Sequence, residues 1–169
     1  MRRQHTAPAE GLSVITHVSA LFAHRHSACA AVEQLVQAGF SREAISVMMS
    51  AVTHEREFGE ATSDRTRRSA RFHGVLNTIV AGVFALGLPS GFALRAAGPL
   101  ATGLARSMKR IDALGDALAS AGLVASEARF VDEGVRRGFI VLGVRASRER
   151  ARLAGQLLEL SGGAALQAA

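Results

Sequence analysis

Hydrophobic and polar positions alternate from Ser13 to Phe22, with Val14, Thr16 and Val18 on one side of an extended chain. β-Branched residues at that period suit a half-buried strand. The period then changes. Ala28, Val32, Leu35, Val36 and Gly39 share one face at helical spacing, Ser27 is a candidate cap, and Gly39 is a left-handed stop with Phe40 packing behind it. Ile45, Val47 and Met49 alternate again and predict a second strand. Near the other end, Ala125 to Arg137 predicts an amphipathic helix with Ala128, Val131 and Val135 facing one way, closed by Gly138. Phe139 to Val144 follows, apolar on both faces as an interior strand requires. A last helix is capped by Ser147, gathers Ala151, Ala154, Leu157 and Leu158, and stops at Gly162 and Gly163.

The order β-α-β, insert, α-β-α predicts an α+β fold. Its expected form is a ferredoxin-like split βαβ sandwich with helices on one face, interrupted by a Gly-rich apolar helical hairpin. The chain divides into a mobile tail (1–12), a first β-α-β half (13–50), a basic linker (51–73), the insert (74–110), an α-β-α half (111–163) and a second tail (164–169). A fourth strand is not evident; it is absent, hidden in the insert, or supplied by a second copy at an exposed edge.

The insert has 21 residues without a formal charge, Gly74 to Leu94, close to the length of a membrane-spanning helix. A single span would separate two halves that need one another to complete a sheet. Tyr and Trp, the usual interfacial residues, are both absent. A hairpin turning at Leu88, Pro89, Ser90 and Gly91 avoids the separation, with arms near 74–88 and 92–105. Gly82, Gly87, Gly91 and Gly98 are the residues expected to let such helices approach closely.

Charge is placed unevenly. Residues 61–110 carry Arg65, Arg67, Arg68, Arg71, Arg95, Arg106, Lys109 and Arg110 against Asp64 alone, while the two flanking regions are nearly neutral. Arg67, Arg68, Arg71, Arg106 and Arg110 are therefore the candidates for contact with an anionic surface. The same basic region, 65–110, admits RNA or another polyanion as an alternative partner. Only Phe58 and Phe72 lie in the preceding Arg-rich stretch as stacking residues, so nucleic acid is disfavoured.

Candidate chemistry is sparse. His17, His24, His26 and Cys29 are the one sequence cluster of metal-ligand types, but their expected elements do not converge, and no metal or cofactor is expected. Asp132 and Glu133 beside Arg136 and Arg137 read as solvated local pairs rather than acid and base catalysts. No phosphate loop, nucleophile elbow or zinc-protease motif occurs, so catalysis and a small-molecule substrate are not expected. A single cysteine and no continuous apolar leader within Met1 to Glu10 favour a cytoplasmic chain, peripheral at the inner face of the membrane if the insert docks there.

Several segments together carry a likeness. They are Val18, Leu21 and Phe22 running into Ala31, Val32, Leu35, Ala38, Gly39 and Phe40, then Ile45, Ser46 and Val47. Ala97, Gly98, Pro99 and Leu100 belong with them, as do Gly122, Leu123, Glu127, Ala128, Asp132, Glu133, Gly134, Val135, Arg137 and Gly138. Over roughly 13–160 the chain resembles the bacterial heat-induced general stress protein family. The resemblance implies an α/β domain with a Gly/Ala-rich apolar centre and a stress-related setting, and it transfers no catalytic residues. Ala23, His24, Arg25 and His26 depart from it, standing where such proteins often have acidic residues. The expected function is that of a non-enzymatic protein, homo-oligomeric or membrane-contacting through its hairpin. The alternative is a hairpin packed on its own sheet, with an unknown binding role.

Overall fold

The computed structural model describes residues 15–59, 74–111 and 113–166. The expected first strand is β1 (Ile15–Phe22), and the helix after it is α1 (Arg25–Gln37). A short 3-10 turn leads into β2 (Ile45–Ser50) and directly into α2 (Ala51–Phe58), which occupies most of the described part of the expected linker. Then come α3 (Val75–Ala81), β3 (Phe84–Gly87), β4 (Ala93–Ala97), α4 (Pro99–Ser107), α5 (Leu114–Ser120), α6 (Ala125–Arg136), β5 (Ile140–Ser147), α7 (Arg148–Leu160) and the two-residue β6 (Ala164–Ala165).

One antiparallel sheet holds all six strands in the order β3-β4-β2-β5-β1-β6. Every residue of the central β5 from Ile140 to Val144 is buried, as the doubly apolar segment requires. Its alternate residues serve two cores. Ile140, Leu142, Val144 and Ala146 meet Phe22, Ile45, Val47 and Met49 beneath α1, α3 and α7. Val141 meets Met48, Leu94 and Ala96 beneath α4, α5 and α6. Helices therefore cover both faces, not the one face expected, because Met48, Leu94 and Val141 form an apolar row that water would otherwise meet.

The predicted helix stops are present. At Gly39 (φ +82°) the amide of Phe40 donates to Leu35 O, and at Gly138 (φ +87°) the amide of Phe139 donates to Gly134 O. These are Schellman closures, in which a left-handed residue satisfies the last carbonyls of a helix. Gly162 (φ +85°) ends α7 in the same way. Ala128, Val131 and Val135 are buried together on α6, as their spacing predicts.

Two local expectations change. Ser27 does not cap α1, which begins at Arg25 after His24; the Glu57 carboxylate of α2 accepts from the Arg25 amide at 2.9 Å instead. Ser147 stands at the start of α7 but makes no side-chain cap bond. By contrast, Ser50 does cap α2, its hydroxyl accepting from the Thr53 amide at 3.0 Å.

The largest correction concerns the insert. Its turn is where Pro89 and Gly91 place it, but it joins two strands rather than two helices. The Gly91 amide donates to Leu88 O at 2.8 Å, and the Leu88 amide donates to Phe92 O at 3.0 Å, with Gly91 at φ +85°. A three-residue loop with a left-handed third position is a favoured hairpin connection. The neighbouring β2 decides the outcome, because its free edge offers the Ala93–Ala97 segment a ladder from Val47↔Ala97 to Ser50↔Leu94. Two strands beyond the three expected thus come from the insert, and a third, the short β6, comes from the expected C-terminal tail.

Candidate functional site

The four glycines chosen for close packing fall in four different settings. Gly82 ends α3 and is exposed, and Gly87 lies on the outer strand with open space around its Cα. Gly91 serves the turn, also in open space. Only Gly98 makes a close approach within the fold. It has φ +89° and ψ −172°, and a Cβ there would strike Ile45 O and come within 2.7 Å of Ser46 Cα. The Ser46 hydroxyl then accepts from the Leu100 amide at 3.1 Å, which fastens the start of α4 to β2.

β3 forms one border of the sheet, paired with β4 on its inner side only. Among the described residues no strand pairs with its outer side. Phe84, Ala85, Leu86 and Gly87 contain no charge and no proline, and Phe84 is 40% exposed. Natural sheet borders usually carry charge, proline or a bulge, which discourage pairing with another chain. This border lacks the first two.

The arginines separate likewise. Arg67, Arg68 and Arg71 lie outside the described residues. Arg106 sits in the last turn of α4, and Lys109 and Arg110 follow in the connection to α5; all three are exposed, and no acid occurs between Pro99 and Ile111. They form a basic corner on the face of the sheet that α4, α5 and α6 cover.

Polar groups that the hydrophobic pattern did not flag meet between β1 and α6. Glu127 is only 6% exposed, and its Oε1 accepts from the hydroxyl of Ser19, itself buried, at 2.7 Å. His17 is half-buried on the same face of β1, opposite Arg145 on β5. Burial holds the His17 imidazole below its ordinary value, against an opposing pull from Glu127 and with a further push from Arg145. The available signal was Glu127 in the first turn of a helix whose next residue, Ala128, already faced the core. Ser19 and Glu127 join β1 to α6, and the exposed Arg145 lies at the rim of this arrangement.

His24, the residue before α1, and His26, in its first turn, stack with ring centres 5.8 Å apart. Cys29 is partly buried, and burial pushes its thiol up, although Arg25 opposes this. Among the described residues no three His, Cys, Asp or Glu side chains gather in a way that could hold a metal. Asp132 pairs with Arg136 at 2.7 Å and Glu133 pairs with Arg137, both across one turn of α6 at the surface. Among the described residues, no helix is long and apolar enough to cross a membrane. Comparison of the chain with protein-family models, with curated proteins and with solved structures gives no match.

Proposed function

We propose that this chain is a non-enzymatic, stress-related assembly module that associates with further copies through the sheet border built by its central segment. The observation that carries this is the uncharged, proline-free strand β3, with Phe84 and Ala85 exposed on it. Unpaired backbone N–H and C=O groups on such a strand are a template for a second strand. An antiparallel β3 pair between two copies extends the sheet and covers both Phe84 side chains. Gly87 leaves room for that approach. The setting in stress comes from the family resemblance alone.

Within this reading the fold is ferredoxin-like with additions. Its support is that β1 and β2 both run antiparallel to β5, which lies between them, and that β6 flanks β1 after α7. The β3-β4 hairpin and the α4-α6 layer are then the elaborations that give the module its own border.

Light scattering on size-exclusion chromatography tests the assembly. The wild-type chain is expected above the 17.7 kDa of one copy, and Ala85→Lys, which puts a charge on the border, is expected to lower that mass. A wild type at one-copy mass at every concentration refutes the proposal, as does an Ala85→Lys chain of unchanged mass.

A second reading has its own observation, the exposed Arg106, Lys109 and Arg110, a run with no acid from Pro99 to Ile111 and with Asp112 next in sequence. This corner suits peripheral contact with an anionic membrane surface, each basic group contributing about 1 kcal/mol. Flotation with phosphatidylserine vesicles at low salt tests it. Binding lost on Arg106→Gln with Arg110→Gln supports the reading, and protein left at the bottom of the gradient removes it.

A further inference from the structure

Helix α7 covers β1 and β5 with Ala154 and Leu158, yet it also presents apolar residues outward. Leu153 is 40% exposed and Leu160 is 78% exposed. These two are seven residues apart and so lie about 20° from one another around the helix axis. Leu157, partly buried, borders them, and the exposed Gln156 lies midway. One side of this stripe carries Arg152 and Glu159, again seven residues apart, and neither forms an ion pair among the described residues. On the other side Arg150 is engaged within the fold. It donates to Ala38 O at 2.7 Å and to Gly39 O at 3.2 Å, and lies over the Phe40 ring.

We infer that α7 is a second homotypic contact, in which two copies pack this helix antiparallel about Gln156, covering Leu153, Leu157 and Leu160 and pairing Arg152 of each copy with Glu159 of the other. The charge order selects this occupant. In an antiparallel pair related by a two-fold axis, residues on one flank face residues on the same flank of the second copy. Arg152 lies four residues before Gln156 and Glu159 three after, so the opposed charges are level to about 1.5 Å. The pairing occurs twice, once on each side of the axis. In a parallel pair this flank would instead meet the opposite flank of the second copy, which carries Arg150 and no acid, so the Arg152–Glu159 pairing is lost.

This contact does not rest on the β3 border, since α7 lies over β1 and β5 while β3 is separated from β5 by β4 and β2. A chain with both contacts grows beyond a dimer, and blocking either one caps it at two copies.

Sedimentation equilibrium of the full chain carrying Ala85→Lys isolates the α7 contact. The expected result is a concentration-dependent rise toward twice 17.7 kDa over a range reaching on the order of 1 mM, since a one-helix contact is small and weak. Adding Leu160→Glu is expected to weaken association at least about tenfold, through loss of apolar cover. Arg152→Glu alone and Glu159→Arg alone are each expected to weaken it, and the two together to restore it. Circular dichroism confirms that each variant is folded, which surface positions on α7 permit. One-copy mass throughout the range overturns the inference. So does association unaffected by Leu160→Glu, or a double charge exchange no tighter than either single one.

Discussion

Gly98→Ala offers a direct measure of how the insert is attached to the sheet. Gly98 has φ +89° and ψ −172°, a region that side chains rarely enter, and holding alanine there costs on the order of 1–3 kcal/mol. Its Cβ would also meet backbone, Ile45 O and Ser46 Cα at 2.7 Å, rather than a flexible side-chain tip. Overpacking against atoms that cannot swing away adds about 1–3 kcal/mol. The sum, about 2–6 kcal/mol, is a large part of the 5–15 kcal/mol that holds a typical domain together. In urea, with a slope of roughly 1–3 kcal/mol per molar, the midpoint is expected to fall by about 1–2 M or more. The Ser46–Leu100 bond lies at the same junction, so β2 and α4 should loosen together in hydrogen exchange. Gly87→Ala is the control, because nothing lies within 4 Å of its added Cβ and its φ is ordinary. It is expected within about 0.5 kcal/mol of wild type. A Gly98→Ala midpoint within about 0.2 M of wild type would refute the reasoning, since the m-value ties midpoint directly to stability.

Other outcomes follow from single contacts. Ser19→Ala removes the hydroxyl on which the buried Glu127 carboxylate rests, at a cost of about 1–3 kcal/mol in thermal or urea unfolding; Glu127→Gln, which carries no charge to strand, should cost less. Arg150→Ala is expected to lose about 1–2 kcal/mol, because the guanidinium closes the end of α1 and lies 4.0 Å from the Phe40 ring centre; Arg150→Lys should recover only part of this. For His17, burial favours the neutral imidazole in the folded chain, so the unfolded chain binds the proton more tightly. Its stabilising share is complete above the ordinary value of 6.5 and declines as pH falls below that toward the lowered folded value. His54 shifts in the same direction, also through burial, so His17→Gln should flatten part of the slope of stability against pH and not all of it. A slope unchanged by His17→Gln would refute the assignment.

Four glycines show how far local pattern reaches. Gly39, Gly98, Gly122 and Gly138 all have positive φ. Gly39 and Gly138 were readable as helix stops because each follows a run of helical spacing. Gly98 was singled out as a helix-packing residue, and its actual task, bringing the α4 junction against β2, is visible only once β2 and β4 are paired.

Periodicity alone determined β1, α1, β2, α6, β5 and α7, because each buries a face at the period of its own backbone, and left-handed glycines marked where three of the helices end. The nature of the insert was not determined in this way. Short segments such as the apolar Phe84–Gly87 and the largely apolar Ala93–Ala97 satisfy either period, so the choice passed to the free edge of β2, a partner nearly fifty residues earlier in the chain. Tertiary contact likewise supplied the Glu57 cap on α1, the Arg150 closure of its other end and the Ser19–Glu127 bond, each linking residues far apart in sequence. Local pattern records which face of an element must leave water; which group arrives to satisfy a polar end is decided only when distant segments meet.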